Sequence, residues 1–512
     1  MNRQFLPIIS HNVLFHSAPE SKFSIELNEV LQLYLKNPSI EKSIIDDQDT
    51  YGKSKKIDRL MDKSWVEKKL GSLFPDVDDH ATAKNIQLED LVLDSGRPRM
   101  QPMLVYVYSW IRGLLGGSPK NQAVQSMLVE SKTFEVFLMN RGVKMPGSST
   151  VIDNLNIISE NTMEVIKKAQ LEQIKIEGLD NFEECVMDST SSKGNSERPT
   201  ESNIIARLTA RIFHRGKGLK NFGLTEMHER NFPQTIVGMD RIAKAIALDC
   251  GKKGSVARRK VSYNKLISKA AGAKKKFEAE MLKIECQTTN IDIQPSRKAM
   301  LMKEVGGINE DISNLQKVMD SARRRVMNGE EVKACDKVMS LSDIDVACIV
   351  KGQRDAVFGY KPQLARSQNG FISVLIVPQG NAADSGQLDA VINQHISNTK
   401  VTPKIISTDD GYSNKAIREK WLEVEDVEVF SISGSKGKKI TPEEDWTSAI
   451  YCTARNNRSA VESLMFCVKF CYNFGRNVRR GIENVRQEMM EKVMAYNFAR
   501  MVKIRQRLQQ PA

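Results

Sequence analysis

The spacing of hydrophobic positions changes character twice along the chain. Residues 1–85 are mixed and polar and predict no definite element. From about 86 to 178 apolar positions recur at helical spacing. Gly96-Arg97-Pro98-Arg99 punctuates the chain before an apolar run at 103–115, which predicts a buried helix. Ser118-Pro119 supplies an N-cap followed by proline at the first helical position. Ala123, Val124, Met127 and Leu128 continue that helix, and a third short helix is expected near 133–140. Short helices with tight turns fit a helix-turn-helix module and a plain helical bundle equally well.

Residues 183–189 predict a short buried strand ending at Asp188, and Pro199-Thr200-Glu201-Ser202 opens a long helical region reaching about 345. Beyond it the texture becomes α/β. Two β-like runs, 356–366 and 371–377, are joined by Ser367-Gln368-Asn369-Gly370, a hairpin-turn signal. Then follow a helix at 384–396, a strand at 404–408 ending at Asp409, a helix at 413–421 and a strand at 427–432. One long amphipathic helix is expected over 455–473, and a basic helix with Arg500, Lys503, Arg505 and Arg507 ends the chain. With 200–345 set aside, the order of strands and helices is that of a ribonuclease-H-like α/β domain carrying a large helical insertion after its first strand.

That order makes three acids converge. Asp188 and Asp409 end adjacent central strands, and Glu462 lies on the helix packed over the sheet. Oxygen ligands with open positions suit a pair of Mg²⁺ ions, with Mn²⁺ an alternative, and two such ions serve in-line displacement at phosphorus. Arg455, Arg458, Glu462 and Lys469 are separated by three, four and seven positions and so share one helix face, which suits a phosphodiester lying along it. An ordinary salt-bridged helix has the same pattern.

Charge sharpens the choice of partner. The chain has 76 Lys+Arg against 63 Asp+Glu, a formal charge of +13, which fits either a polyanionic partner or a mildly basic enzyme. Twelve Lys/Arg and one acid, Asp249, lie between Arg241 and Lys276, reading as a solvated helix face or a phosphate contact. The eight cysteines form no CxxC pair and the six histidines are scattered, so zinc is not indicated. The N-terminus lacks the features of a signal peptide and no stretch is long and apolar enough to span a bilayer, so a cytoplasmic protein with reduced thiols is expected. Gly434-Ser435-Lys436-Gly437-Lys438-Lys439 has a P-loop flavour, but Ile432 stands where the first glycine belongs. Tyr412 is expected either to stack on a base or to pack under the strand end, whereas Trp421 and Trp446 are expected in the core.

The segment Arg455-x2-Arg458-x3-Glu462-x6-Lys469 resembles the Y-x2-R-x3-E-x6-K signature of DDE insertion-sequence transposases, with Arg455 in place of the tyrosine. Val186-Met187-Asp188-Ser189-Thr190 resembles the family's first-aspartate strand. Ser407-Thr408-Asp409-Asp410-Gly411-Tyr412 resembles its second-aspartate segment, alignment on the glycine and aromatic favouring Asp409 over Asp410. Lys351-Gly352-Gln353-Arg354, Phe358-Gly359-Tyr360-Lys361, Asn369-Gly370-Phe371-Ile372 and Gly380-Asn381-Ala382-Ala383-Asp384-Ser385 are similar, in order, to segments of the bacterial group abbreviated ISNCY. Gly96-Arg97-Pro98 before an apolar helix resembles the N-terminal domain of those transposases.

The resemblance implies a DNA transposase that cleaves at element ends and joins the resulting 3′-hydroxyl to target DNA. Asp188, Asp409 and Glu462 would hold two divalent cations; Arg455, Arg458, Lys469, Arg97 and Arg99 would contact DNA. The expected organisation is residues 1–85 of open role and a helix-turn-helix-like, all-α DNA-binding domain at 86–180. The catalytic domain follows at 181–478, with its insertion at about 200–345, and then a basic helix at 479–512. Its partners would be double-stranded element ends and target DNA at the bacterial nucleoid, engaged as a homodimer. A nuclease without strand transfer and an inactive DNA-binding descendant are the competing readings.

Overall fold

The computed structural model describes residues 22–60, 100–117, 147–196, 200–224, 232–291, 293, 295–332, 337–350 and 355–509. Arg97, Arg99, the helices expected at 118–140, Pro199 and the segment 351–354 lie outside the described residues. The chain divides into two compact units, one of Met1–Thr50, Pro98–Asn195 and Asp345–Ala512, the other of Tyr51–Arg97 and Ser196–Ile344. No described helix is long and apolar enough to cross a membrane.

Part of the N-terminal stretch without a clear period is helical after all: α1 spans Lys22–Lys36 and α2 Pro38–Leu60. The break between them is local chemistry, since Asn37 Nδ2 donates to the Leu33 carbonyl and Pro38 can only begin a helix. Helix α3, Pro102–Leu114, is apolar apart from Ser109 and Arg112 and is buried from Met103 to Gly113. Helices α4, Ser148–Leu155, and α5, Glu160–Ile176, complete the described N-terminal layer, and Ser159 caps α5 through Thr162 N. Strands β1, Glu184–Ser189, and β2, Ser192–Lys193, follow.

The second unit is helical in its described part after β2. Helices α6, Glu201–Gly218, α7, Phe232–Leu248, α8, Ser255–Asn290, and α9, Pro295–Ala322, enclose a core that includes Leu208, Met239, Leu266, Phe277 and Ile308. Thr200 occupies the N-cap position of α6 without a side-chain bond to the helix. Asp311 pairs with both Arg211 and Arg215. Much of the basic run is on the surface: Arg258, Lys265, Lys269 and Lys276 are exposed.

The first unit resumes with β3, Ala347–Ile349, β4, Val357–Tyr360, β5, Gln363–Arg366, and β6, Ile372–Ile376. Then come α10, Asp384–Thr399, β7, Ile405–Thr408, α11, Lys415–Leu422, and β8, Val429–Ile432. Helices α12, Ser435–Ile440, α13, Glu443–Thr447, α14, Ala449–Asn457, α15, Ser459–Cys471, and α16, Ile482–Gln509, finish the chain. The main sheet has the order β6-β5-β1-β7-β8, with β7 parallel to β1 and β8 and with β5 antiparallel to β1 and β6. The single run expected at 356–366 is two strands in two sheets. Pro362 lies between them, and β4 pairs with β2 and β3 instead.

Period-two alternation assigns the sheet's two faces. Cys185, Met187, Ile406 and Phe430 face α10 and α11, whereas Val186 and Leu364 share a core with α3, α15 and α16. The C-terminal helix is therefore an internal element as much as a basic one: Met489, Val493, Phe498 and Met501 are buried, and Arg505 pairs with Glu29 and Glu177.

His395, on α10, is fully buried, with Nδ1 2.7 Å from Ser373 Oγ of β6 and Nε2 3.0 Å from the Phe182 carbonyl. A carbonyl only accepts, so Nε2 carries the proton and Nδ1 accepts from the hydroxyl. Burial lowers the imidazole from 6.5 to about 4. Between those values the unfolded chain binds a proton that the native state does not, so stability rises with pH across that window. It is expected to fall by about 2 kcal/mol from pH 7 to pH 5 on this account, and His395→Gln should flatten that part of a urea-midpoint profile. An equally steep profile in the variant would remove His395 as its source.

Candidate active site

Strand register sets two of the acids level with each other. Strands β1 and β7 pair in parallel with Val186 opposite Ser407, and two further residues along each chain bring Asp188 and Asp409 to the same level. Asp188 shares its face of β1 with Val186, the face on which α15 packs. It is buried, and its Oδ1 accepts from Ser189 N at 2.7 Å. Asp409 turns the chain, accepting from Gly411 N at 2.9 Å.

The third acid is joined to the first through an arginine. Arg458 Nη1 lies 3.0 Å from Glu462 Oε1, and Nη2 lies 3.5 Å from Asp188 Oδ2. Arg458 Nε is buried with no hydrogen-bond partner. A cation thus already stands between the strand carboxylate and the helix carboxylate. Among the described residues no three His, Cys, Asp or Glu side chains are gathered closely enough to hold a metal ion as they stand, and Glu462 is 61% exposed. The donor chemistry still fits a hard divalent cation, since all the donors are carboxylate oxygens and a positive charge is accommodated between two of them.

The helix expected over 455–473 is two helices. Helix α14 ends at Asn457 and α15 begins at Ser459, so Arg455 and Glu462 lie on different helices. The Arg455 guanidinium stacks 4.4 Å from the centre of the Trp446 ring. Lys469 does lie on α15, half-buried, about 10 Å along the helix from Glu462. Trp446 is half-buried beneath Arg455, and Trp421 is buried and donates to Asp389.

Asp410 has a separate task. Its carboxylate accepts from the backbone N–H groups of Lys436 and Gly437, at 3.1 Å and 2.9 Å, and so caps α12. The lysine-rich segment 434–439 is thereby a short capped helix. Asp410→Ala is expected to cost about 1 kcal/mol in thermal unfolding. It should reduce metal-dependent DNA cleavage far less than Asp409→Ala; the reverse order of losses would exchange the two assignments.

A fourth acid, not assigned a site role in the sequence, lies nearby. Asp384, at the start of α10, accepts from Gln363 Nε2 at 2.9 Å and pairs with Lys361 Nζ at 2.9 Å. A Cβ on Gly411 would lie 3.0 Å from Asp409 Oδ1 and 3.2 Å from Asp384 Oδ2, so both carboxylates border one space. Tyr412 donates to Gln363 Oε1 and is fully buried, which assigns it to packing beneath the strand end. Burial, then the charges of Asp384, Asp188 and Asp409, push its hydroxyl well above the ordinary phenol range. Two segments singled out in the sequence, one ending in Lys361 and one containing Asp384, are joined by this ion pair. Segment likeness alone could not show that they touch.

Residues 338–498 match the family described as "Transposase DDE domain". No curated protein and no solved structure matches the chain. The matched stretch holds Asp409 and Glu462, while Asp188 precedes it across the helical insertion. The match supports a DDE transposase and implies a ribonuclease-H-like α/β fold, with which the five-stranded mixed sheet agrees.

Proposed function

We propose that this chain cleaves DNA at the ends of a mobile element and transfers the freed 3′-hydroxyl into target DNA, using Asp188, Asp409 and Glu462. The observation carrying this reading is Arg458, which pairs both with Glu462 and with Asp188, 270 positions earlier in the sequence, beside the turn that holds Asp409. Divalent cations bound by these acids, Mg²⁺ first and Mn²⁺ as a substitute, supply Lewis-acid activation and neutralise charge on the phosphate. The chain's own part is positional. Asp188 and Asp409 are fixed by the sheet, Glu462 by α15, and Arg458 and Lys469 hold phosphate oxygens, the first through a planar fork and the second as a point charge.

Arg455, stacked on Trp446, is a peripheral phosphate contact in this reading, and Arg97 and Arg99 belong to recognition of the element end. On α8, Arg258, Lys265, Lys269 and Lys276 recur at seven-, four- and seven-residue spacing, so they share one helix face suited to a phosphate backbone. Two copies on paired element ends complete the assembly, and in this reading the element belongs to the ISNCY group.

The test is a strand-transfer assay with the full chain, Mg²⁺, labelled duplexes carrying the sequences that flank the reading frame, and a supercoiled target. Labelled ends covalently joined to target are expected. Cut ends that never join would leave a nuclease, and binding without cutting would leave an inactive DNA-binding protein.

A further inference from the structure

Phe466 and Phe470 are 71% and 80% exposed, which sets them apart from the buried phenylalanines of the core such as Phe277, Phe371 and Phe430. Both lie on α15, the helix of Glu462. Their rings are stacked, with centroids 5.9 Å apart and planes within 5° of parallel. At 100° per residue Glu462, Phe466, Lys469 and Phe470 fall within about 100° of one another around the helix, the rings about 6 Å and about 12 Å along the axis from the acid. The opposite side of α15 packs inward through Val461, Leu464, Met465 and Val468. The phenyl pair therefore adds nothing to the core, yet stands next to the carboxylate.

The surroundings select an occupant. Lys469 lies between the two rings in sequence, and the charges of Lys503 and Arg500 on α16 reach Cys467 of the same helix. A flat apolar wall bordered by cations suits a ligand with π-faces and phosphates together, which is a nucleic-acid strand. A base in a duplex has both faces covered, so only an unpaired nucleotide can use such a wall.

We propose that Phe466 and Phe470 form a stacking wall for unpaired bases next to the phosphodiester that is cut. The inference rests on the reading of Asp188, Asp409 and Glu462 as a DNA-cleaving site and adds to it a preference for frayed or flipped ends. A stacking wall of this kind takes any base, so it favours strand-end geometry over sequence.

The test compares the full chain with Phe466→Ala, Phe470→Ala and the double variant, and Phe466→Trp serves as the conservative control. Two probes are used: a labelled duplex ending in four unpaired nucleotides, one of them 2-aminopurine, and a blunt duplex of equal length. Wild type is expected to prefer the overhang about ten-fold and to quench the 2-aminopurine. The double alanine variant should bring that ratio near one, and Phe466→Trp should keep it. A ratio unchanged in the double variant overturns the proposal, as does a wild type that binds both probes alike. In either case metal-dependent cleavage by wild type would leave the catalytic reading standing. If wild type neither binds nor cuts DNA, both fall. Loss of self-association in the double variant at an unchanged ratio would assign the face to a second copy of the chain and overturn the proposal.

Discussion

Glu462→Gln is expected to lower metal-dependent DNA cleavage by about 10³-fold or more, equivalent to about 4 kcal/mol of barrier, while DNA binding stays within a few-fold. The substitution keeps shape and removes only the charge. Glu462 is the most exposed of the three acids and its pair with Arg458 is an i,i+4 contact on a helix. Losing that contact costs well under 1 kcal/mol of folding stability, so unfolding cannot explain a loss of this size. Arg458 retains Asp188 as a partner in the variant. The measurement needs a labelled element-end duplex resolved on a denaturing gel, the same duplex for binding by anisotropy, and a thermal melt. Wild-type cleavage by the glutamine variant would remove Glu462 from the site.

Glu491→Ala is expected to destabilise the protein by about 3–5 kcal/mol. Glu491 is fully buried on α16 and accepts from Arg112 Nε of α3 at 2.8 Å, with a second bond from the same guanidinium. Arg479 Nη2 adds a third partner at 2.5 Å. Burial lowers the pKa of Arg112 while the Glu491 charge works against that shift. Removing the carboxylate leaves the buried Arg112 guanidinium without its main counter-charge, in a place where water cannot replace it. The helices cannot relax apart cheaply, because at Gly113 the two backbones touch: a Cβ there would lie 2.0 Å from the Glu491 carbonyl oxygen. Urea unfolding should show the loss. Replacing Arg112 by Met together with Glu491→Leu should recover much of it, since an apolar pair of similar volume avoids stranding a charge. A Glu491→Ala midpoint equal to wild type would mean that Arg112 reaches solvent.

The sheet was legible because each strand of its α/β half is short, apolar and bounded by turn residues. Asn369-Gly370 is the clearest case: Gly370 takes φ +85°, and Asp180 accepts from Asn369 N to hold the turn. Asp188 and Asp409 were legible as strand ends. Three features were not. The break at Arg458 leaves no mark in the periodicity, because Arg458 itself keeps helical backbone angles, φ −54° and ψ −32°. The small sheet β2-β4-β3 is built of strands of two to four residues, too short to show a period. Asp384 looked like an ordinary acid in the first turn of a helix, and only its tertiary partners, Lys361 and Gln363, distinguish it. The basic C-terminal helix misled in the other direction, since its net charge hides a buried face rich in methionine.

The central position of β1 carries a consequence for the order in which the nascent chain can fold. Both neighbours of β1, the strands β5 and β7, are encoded after the insertion. From Ser189 to Gln363 the ribosome adds 174 residues (363 − 189) before the first of them exists. At ordinary translation rates that is roughly 9–35 s, during which the strand bearing Asp188 has no partner in the main sheet. Helices α6 to α9 share a hydrophobic core of their own and can collapse in that interval. The apolar strand Glu184–Ser189 is thus a waiting edge in every newly made molecule, and its aggregation hazard is greatest during synthesis.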